Sequence, residues 1–400
     1  MSDLDQIRAL DDAYVMHTYG RFPVAFVRGE GMYLYDAGGR RYLDFLAGIA
    51  VAGIGHAHPS VAKAVAEQAG LLVHVSNLFY TEPQALLAKR LHDLLGWGKT
   101  FFCNSGAEAN ECALKLARRA TGADRVEVVA ALGSFDGRTV ATLAATGQPA
   151  KHEAFAPLPA EFMHHVPLGD TAALQAAVGE RTSAVLLEVV QGEGGINPAD
   201  AEYLRDARGI CDQHGALLIF DEVQTGLGRT GRWFAFQHSG VTPDVITLAK
   251  SLGSGLPIGA CIAREDVADS FRPGDHATTF GGGPVPCRAA LAVLDVIEGE
   301  GLVQNAAEMG ERLVAELRRA TAGNPAVTDV RGLGLLVGMQ LGGEWSKEAV
   351  DACLAEGLVV NNVTLSTIRL SPPLIAGPEH VDQAAETLGR VLATFAERAR

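Results

Sequence analysis

The sequence lacks the features that mark membrane, secreted and nucleic-acid-binding proteins. No apolar run approaches the roughly 18 residues of a membrane span. The N-terminus, MSDLDQIRALDDAY, has no basic start followed by an apolar core, so we expect no secretory signal. Lys+Arg 33 against Asp+Glu 47 gives a net charge of −14, which disfavours a phosphate backbone or an anionic membrane as the main ligand. We therefore expect a cytoplasmic protein without a nucleic-acid or membrane partner.

Cysteine is scarce as well. The 400 residues include six cysteines, which are scattered and form no C-x-x-C pair. This spacing favours buried free thiols in a reducing cytosol over a disulfide framework. Two histidine pairs, His56-x-His58 and His164-His165, have no carboxylate or cysteine at ligand spacing. We interpret them as turn or surface histidines and predict no metal site.

What the chain does contain is the composition of an ordinary globular protein, 48% apolar and 20% charged. Its length suggests two domains, at roughly 150 residues per domain. Apolar runs alternate with amphipathic stretches, which predicts an α/β fold with a mostly parallel sheet and helices on both faces. The predicted strands are 100–104, 125–130, 183–190, 216–223, 245–250 and 259–263, and helices are predicted at 107–120 and 201–215.

The pattern changes near residue 286 and predicts a smaller α/β domain. A long helical region over 286–320 precedes the glycine-punctuated strand in TDVRGLGLLVGMQL, and helices follow near 346–356 and 378–397. Residues 27–48 alternate like a hairpin, a pattern that does not itself say which domain they join. We predict an N-terminal segment 1–55 packed with the small domain, a large domain 56–285 and a small C-terminal domain 286–400.

Three predicted strands deliver polar residues at their carboxyl ends, namely Glu188, Asp221 and Lys250. Ligands bind at these ends in open parallel sheets. A lysine amine in a pocket can form a Schiff base with an aldehyde, and a buried aspartate can keep a heterocyclic nitrogen protonated. Pyridoxal phosphate needs both groups. For either residue alone, a helix-capping aspartate or a lysine at the rim is the alternative.

Other residues could complete such a site. Ser105 and Gly106 follow a strand and open a helix, where free N–H groups suit a phosphate; a simple serine N-cap is the alternative. Phe135 could stack on a pyridine ring and Arg138 could clamp a carboxylate, or they could be a core phenylalanine and a solvated arginine. Arg369 offers a second clamp, or a surface ion pair.

A dinucleotide pattern, G-x-G-x-x-G, also occurs at Gly226, Gly228 and Gly231. Such a fingerprint should start directly after a strand and open a helix. Here DEVQT intervenes after the strand, and RWFAFQHSGVTP is a poor helix. The context therefore disfavours a nicotinamide or flavin site.

Taken together, the motifs resemble a known family. SGAEANE, F-x-G-R-T, QGEGG, FDEVQTGLGRTG, LAKSLGSGLPIG and TTFGG are similar, in order and spacing, to those of class III pyridoxal-phosphate aminotransferases of fold type I. The match extends over nearly the whole chain. Within the class, VSNLFY, RGLGLLVG and VTLSTIRLSPPL most resemble the acetylornithine aminotransferases, with succinylornithine and ornithine aminotransferases as close relatives.

The resemblance implies a pyridoxal 5'-phosphate site in the large domain, residues 56–285. Lys250 would carry the cofactor as a Schiff base and then shuttle a proton, while Asp221 would pair with the pyridinium nitrogen. Thr279 would reach the phosphate bound by the neighbouring subunit of a homodimer with shared sites. Further cofactor contacts are implied for Ser105, Gly106, Ala107, Phe135, Glu222, Val223 and Gln224.

The resemblance also implies a ping-pong reaction of arginine biosynthesis. The terminal amine of N-acetylornithine would pass to 2-oxoglutarate, giving N-acetylglutamate semialdehyde and glutamate. Arg138, with Thr278 from the other subunit, would contact acetylornithine, and Arg369 would bind 2-oxoglutarate. Glu193 would pair with Arg369 while a neutral-ended amine is bound, and Tyr19 would line the pocket.

Three positions depart from the family pattern. Asp136 stands where histidine is common, Val189 where proline is common, and Gly283 where asparagine is common. Asp136 would either weaken the grip of Arg138 on substrate or lie outside the pocket. A related ω-amine transaminase, an aminomutase or decarboxylase, and a non-catalytic protein that binds the same cofactor remain alternatives.

Overall fold

A seven-stranded sheet lies at the centre of the fold in the computed structural model, which describes residues 4–157 and 162–399. Six of its seven strands run in the same direction, and only the second strand from one edge runs antiparallel to both of its neighbours. Across the sheet the strands are β4 (Lys99–Cys103), β12 (Gly259–Ala263), β11 (Val245–Leu248), β10 (Leu217–Asp221), β7 (Thr182–Leu187), β5 (Glu127–Ala131) and β6 (Met163–Val166).

Helices cover both faces of this sheet, as the sequence predicts. Successive residues of β10 show the alternation: Leu218 and Phe220 pack into one hydrophobic cluster, and Leu217 and Ile219 into another. The mostly parallel α/β fold is therefore confirmed. The helices of this part are α3 (Pro59–Leu71), α4 (Glu82–Leu95), α5 (Gly106–Thr121), α6 (Val140–Ala145), α7 (Thr171–Ala177), α8 (Ala201–His214), α9 (Glu265–Ala268) and α10 (Pro284–Gly299).

The predicted strands are present, but three of them end earlier than predicted. β7, β10 and β11 stop at Leu187, Asp221 and Leu248, so the polar residues that follow lie in turns instead of in strands. One strand, β6, was missed. Its sequence MHHV is short and half polar, because it lies at the edge of the sheet.

A second, antiparallel sheet forms in the C-terminal part. The long helical region predicted over 286–320 is in fact two helices, because Gly301 adopts a left-handed φ of 65° and breaks it. The sheet consists of β13 (Val327–Leu333), β14 (Leu336–Leu341), β17 (Thr367–Leu370) and β16 (Asn361–Thr364), accompanied by α11 (Leu302–Ala320), α12 (Ser346–Ala355) and α13 (Pro378–Ala393).

The N-terminal segment pairs with a strand from the far end of the chain. Residues 37–40 connect the strands Tyr33–Asp36 and Arg41–Asp44, and the second of these pairs in parallel with Leu358–Val359. The domain bounds 1–55, 56–285 and 286–400 stay a prediction that this pairing favours. The remaining elements are α1 (Leu4–Tyr14), β1 (Phe26–Glu30), β2 (Tyr33–Asp36), β3 (Arg41–Asp44), α2 (Ala47–Ala50), β8 (Val190–Gln191), β9 (Asn197–Pro198) and β15 (Leu358–Val359).

The structure also shows the state of the few cysteines. All six cysteines are free and buried, in agreement with the prediction of unpaired thiols. Within the described ranges, every helix is too short or too polar to traverse a lipid bilayer.

Candidate active site

A cavity of about 390 Å³ opens at the carboxyl ends of the parallel strands. It lies where the open-sheet rule places ligands. Eight residues predicted from the sequence line it together: Ser105, Gly106, Ala107, Phe135, Arg138, Asp221, Val223 and Gln224. Lys250 completes this set, and Asn104, Asn110, Asp136 and Glu188 are further polar residues of its wall.

Lys250 follows β11 in a single 3-10 turn that begins at the lysine itself. Its φ of 44° lies in the left-handed region, which a residue with a side chain rarely adopts. Strain of this kind is concentrated at functional sites. Burial lowers the pKa of the Lys250 amine, and the charge of Arg369 lowers it further, against the opposing effect of Asp221. The amine is therefore easier to deprotonate than an ordinary lysine.

Asp221 is the last residue of β10 and is only 5% exposed. Both oxygens are occupied: Oδ2 accepts from Asn110 Nδ2 at 2.7 Å, and Oδ1 accepts from the Val223 backbone N–H at 2.8 Å. Burial raises the pKa of this carboxyl, while the two hydrogen bonds oppose the rise. The arrangement suits a carboxylate that faces a cationic nitrogen.

The N-terminus of α5 opens into the same cavity. Ser105 caps the helix, since its Oγ accepts from the Glu108 N–H at 3.2 Å. The N-cap alternative is therefore correct, and it does not exclude an anion site, because the helix still presents its N-terminal end to the cavity. A Cβ at Gly106 would lie 2.8 Å from Val223 Cγ1, so glycine allows this close approach.

Phe135 and Arg138 lie on the opposite side, in the loop after β5. Phe135 is half-buried and Arg138 is exposed, and the guanidinium carbon lies 5.5 Å from the ring centroid. Phe135 is thus a wall of the cavity and not a core residue, and Arg138 is solvated but within reach of the opening. The aromatic wall and the exposed arginine therefore lie in one loop.

Arg369 is fully buried, which excludes a surface ion pair. Its Nη1 donates to Glu193 Oε1 at 2.5 Å and to Gln224 Oε1 at 3.0 Å, and its Nε donates to Asn361 Oδ1 at 3.1 Å. Burial opposes ionisation of Glu193, yet the charge and hydrogen bond of Arg369 bring the pKa of Glu193 below its ordinary value. The pair anticipated from the sequence is therefore formed.

Six predicted residues do not line the cavity in this chain. Arg369 is connected to it through Gln224, and Glu193 through Arg369. The other four are Glu222, Tyr19, Thr278 and Thr279. The Glu222 carboxylate accepts from the Ala235 and Phe236 N–H groups, each at 2.8 Å, and so holds a loop instead of facing the cavity. Burial raises the pKa of Glu222 to about 7. Tyr19 is 73% exposed and lies in a separate hollow. Thr278 and Thr279, in the segment that follows His276, also lie outside the cavity.

Thr278 nevertheless lies beside the cavity wall. Its hydroxyl accepts a 3.2 Å hydrogen bond from the Nδ2 of Asn104, a residue that lines the cavity. Asn77 holds the same segment by donating to the backbone oxygens of Thr278 and Gly281 at 3.2 and 2.9 Å. The contributions of Thr278 and Thr279 to a neighbouring subunit stay predictions.

Three polar residues of the wall, Asn104, Asn110 and Asp136, were not predicted as site residues from the sequence. Asn110 lies one helical turn after Gly106, so the i, i+4 spacing on α5 was the available signal. Asp136 was noticed only as a departure. It lies inside the cavity wall and is 3% exposed, so the suggestion that it lies outside the pocket is wrong.

The other motifs form no second site. The segment of Gly226, Gly228 and Gly231 is a turn, and only a short 3-10 helix, Ala235–His238, follows it. His56 Nε2 lies 2.7 Å from Asp44 Oδ2, and His58 accepts from the Ser60 N–H at the start of α3. Across residues 4–157 and 162–399, no three His, Cys, Asp or Glu side chains are placed to hold a metal ion.

The cavity fits pyridoxal phosphate. A lysine amine, an aspartate with both oxygens hydrogen-bonded, a helix N-terminus and an aromatic wall surround a single space. These are the groups that the aldehyde, the pyridine nitrogen, the phosphate and the ring need. Fold and site together define a pyridoxal-phosphate-dependent enzyme with an α/β fold.

The comparison with known families specifies the class. Residues 14–392 match the family model described as Aminotransferase class-III. The chain therefore belongs to the class III aminotransferases, and pyridoxal 5'-phosphate is its cofactor. This confirms the enzyme class that the motifs resemble.

Individual relatives match over nearly their full lengths. The chain is 50% identical over 387 residues to an acetylornithine aminotransferase from Gloeobacter violaceus, covering 96% of each chain. It is 46% identical to the acetylornithine aminotransferase of Methanocaldococcus jannaschii, again over 96% of each chain. The structure of ornithine aminotransferase from Toxoplasma gondii superposes with a TM-score of 0.95 at 31% identity, covering 100% of this chain and 97% of that one.

Proposed function

We propose that this aminotransferase moves the terminal amino group of N-acetylornithine to 2-oxoglutarate, giving N-acetylglutamate semialdehyde and glutamate in arginine biosynthesis. The observation that carries the proposal is the buried Arg369–Glu193 pair beside the Lys250 cavity. The relatives named acetylornithine aminotransferase, at 46% and 50% identity over nearly full length, support the same substrate. The six buried free thiols suit the cytoplasm, which we propose as its location.

When bound, pyridoxal phosphate would supply an aldehyde for the amino group and a pyridine ring that serves as the electron sink. Asp221 provides the negative charge for the pyridine nitrogen, held by Asn110 and Val223. Lys250 provides the base: its lowered pKa makes the neutral amine accessible, so it can take a proton from the substrate carbon and return it.

One site must accept both a substrate with a neutral end and a dicarboxylate. The ion pair with Glu193 neutralises the charge of Arg369, so no unpaired positive charge faces the amine donor. Displacing Glu193 frees one guanidinium N–H for a carboxylate of 2-oxoglutarate, and Nη2 has no hydrogen-bond partner among the described residues. Arg369 can then form the two-pronged contact that carboxylates prefer.

The donor needs its own clamp. Arg138 is exposed at the opening, beside Phe135, and so is available for the carboxylate of acetylornithine. Thr278 and Thr279, which lie outside the cavity of their own chain, would complete the substrate and phosphate sites of the partner subunit. Tyr19 would line the entrance.

A homodimer would also explain an exposed apolar surface. Leu71, Leu78 and Phe79 are 81%, 84% and 67% exposed, and Phe280 lies beside them at 68%. The helix α1 has no buried residue in the isolated chain. Surfaces of this kind mark interaction sites in soluble proteins. Sedimentation velocity tests the assembly: we expect a dimer, and a monomeric, active wild-type protein would contradict it.

The substrate is tested by a half-reaction screen. The holoenzyme is mixed with acetylornithine, succinylornithine, ornithine or 4-aminobutyrate, and the visible band of the bound cofactor is followed. We expect acetylornithine to bleach the band fastest and 2-oxoglutarate to restore it. Faster bleaching by another amine would reassign the substrate, and Asp136 in the cavity wall gives that alternative its basis. A band that no amine bleaches would indicate a non-catalytic protein.

The two-substrate model has a separate test. Glu193→Gln removes the charge that compensates Arg369 and leaves an amide of the same shape. We expect the ratio of the donor and acceptor half-reaction rates to move toward the dicarboxylate. An unchanged ratio would refute the displacement of Glu193.

A further inference from the structure

Three buried carboxyl groups share the wall of the cofactor cavity. Asp136, Glu188 and Asp221 are 3%, 5% and 5% exposed and all line it, while Lys250 is the cation among them. Several like charges that are close together in a site of low dielectric cannot all be ionised. The chemistry of the site therefore depends on which of the three carries the negative charge.

Their hydrogen-bond donors differ. Both oxygens of Asp221 accept hydrogen bonds, as described above. Asp136 accepts one at Oδ2, from Ser134 Oγ at 2.6 Å, and Oδ1 has no partner in the described part of the chain. Glu188 accepts one at Oε1, from the Gly192 N–H at 3.3 Å, and Oε2 has none. A bare anionic oxygen in a buried wall is far more costly than a neutral acid.

Asn110 connects two of these acids. Its Nδ2 donates to Asp221 Oδ2 at 2.7 Å and to the backbone oxygen of Asp136 at 2.8 Å. Its Oδ1 accepts from Thr247 Oγ1 at 2.8 Å, which fixes the amide with its NH₂ group toward Asp221. The amide is fully bonded, and its orientation stabilises an anion at Asp221 and nowhere else.

We propose that the Thr247–Asn110 bridge assigns the negative charge of this wall to Asp221, and that Asp136 stays a neutral acid. Asn110 is then a positioning residue for Asp221. The inference rests on the cofactor and is independent of which amine is the substrate.

The electrostatics of the wall agree with this assignment. Burial, together with the charge of Asp221, raises the pKa of Asp136 well above its ordinary value. Burial, followed by the charges of Asp136 and Asp221, does the same for Glu188, with Lys250 opposing. Burial also raises the pKa of Asp221, but here the rise is opposed by Asn110 first and then by Val223, Lys250 and Thr247. Asp221 alone then presents a negative charge to the pyridine nitrogen. Asp136, at the position where histidine is common, adds no second charge.

The first test measures the bridge through cofactor affinity. Asn110→Ala removes a hydrogen bond to a charged group, so we expect the Kd for pyridoxal phosphate to rise by about 10- to 100-fold. Asn305→Ala is the matched control. The Asn305 amide likewise donates two hydrogen bonds, but both go to backbone oxygens, those of Leu374 and Ala376, and it lies outside the cavity. We expect it to lower the melting temperature and leave the Kd unchanged. Equal Kd values in the two variants would overturn the proposal.

If Asn110→Ala does not fold, Thr247→Val serves instead. Valine has nearly the shape of threonine but cannot donate to Asn110 Oδ1, so the amide is free to turn. We expect a smaller rise in Kd in the same direction. A Kd equal to that of the wild type would show that Thr247 does not orient the amide.

The second test measures the protonation states of Asp136 and Asp221. In infrared difference spectra of the full-length holoenzyme at neutral pH, Asp136→Asn should remove a carbonyl band of a protonated carboxylic acid. Asp221→Asn should instead remove a carboxylate band. Loss of a carboxylate band in Asp136→Asn would overturn the neutral assignment. Because these readouts need no amine substrate, a failed acetylornithine half-reaction would leave them intact.

Discussion

The cofactor side and the substrate side of the cavity are built differently. The cofactor side comes from turns that follow neighbouring strands of one sheet, and its key acid, Asp221, is saturated with hydrogen bonds. The substrate side joins Arg369 on β17 to Glu193, 176 positions earlier in the chain, and includes the exposed Arg138. The cofactor side is therefore held by hydrogen bonds at buried strand ends, whereas the substrate side combines an ion pair with an exposed arginine.

This difference has a chemical meaning. A cofactor that stays bound needs fixed partners, which a buried sheet edge provides. Two substrates of different charge need a surface that can rearrange, and an ion pair with an open flank provides it. The comparison predicts that changes on the cofactor side abolish both half-reactions, whereas changes on the substrate side separate them.

The largest effect should come from the centre of the cofactor side. Lys250→Ala removes the base, so we expect both half-reactions to slow by about 10⁴-fold. Single-turnover absorbance measurements with acetylornithine and with 2-oxoglutarate check this. Lys89→Ala, on the exposed face of α4, should be indistinguishable from the wild type. A variant of Lys250 that kept either half-reaction would break the comparison.

Arg369→Lys should separate the half-reactions. Lysine keeps the charge but loses the planar fork, so we expect the acceptor half-reaction to fall by about 10²-fold and the donor half-reaction much less. The readout is the ratio of the two single-turnover rates.

Arg229→Lys is the control for that change. Arg229 is another fully buried arginine, bonded to the backbone oxygens of Leu335 and Pro372 and absent from the cavity wall. It should lower stability without changing the ratio. Equal losses in both half-reactions for Arg369→Lys would show that Arg369 is not specific to the acceptor.

A moderate effect is expected where α5 approaches Val223. In Gly106→Ala the new methyl group meets Val223 Cγ1 at 2.8 Å. Overpacking of this kind costs about 1–3 kcal/mol, which corresponds to a loss of roughly tenfold or more in the affinity for pyridoxal phosphate. Equilibrium dialysis should show weaker binding of pyridoxal phosphate. Adding Val223→Ala should restore part of it, and Gly209→Ala, whose new methyl group meets open space on α8, should have no effect.

The smallest effect concerns pH. Capture of pyridoxal phosphate by the cofactor-free chain needs a neutral Lys250, so the capture rate should rise with pH. The midpoint of this rise should lie below the pKa of an ordinary lysine, because burial and then Arg369 lower the pKa of Lys250. Glu193 opposes this lowering. Glu193→Gln should therefore move the midpoint to lower pH. A move to higher pH would contradict the assigned electrostatics, and the exposed Glu202→Gln should leave the midpoint in place.

The cofactor side was the more predictable part because its residues follow apolar strands directly in the sequence. Asp221 ends a recognisable strand, Lys250 and Ser105 follow such strands closely, and the carboxyl ends of parallel strands meet at one edge. Glu222 shows the limit of this reasoning. It is adjacent to Asp221, but a one-residue step turns its carboxylate toward Ala235 and Phe236.

By itself, the amino-acid sequence determined the alternation of strands and helices, the residues at the strand ends and the cofactor they suit, because hydrophobic periodicity and strand-end position are local properties. Only the tertiary structure decided that Arg369 also donates to Gln224, that Asn110 bridges to Asp221, and that Asp136 lies in the cavity wall. These contacts join distant parts of the chain, and the burial that sets their charges exists only once the chain is folded.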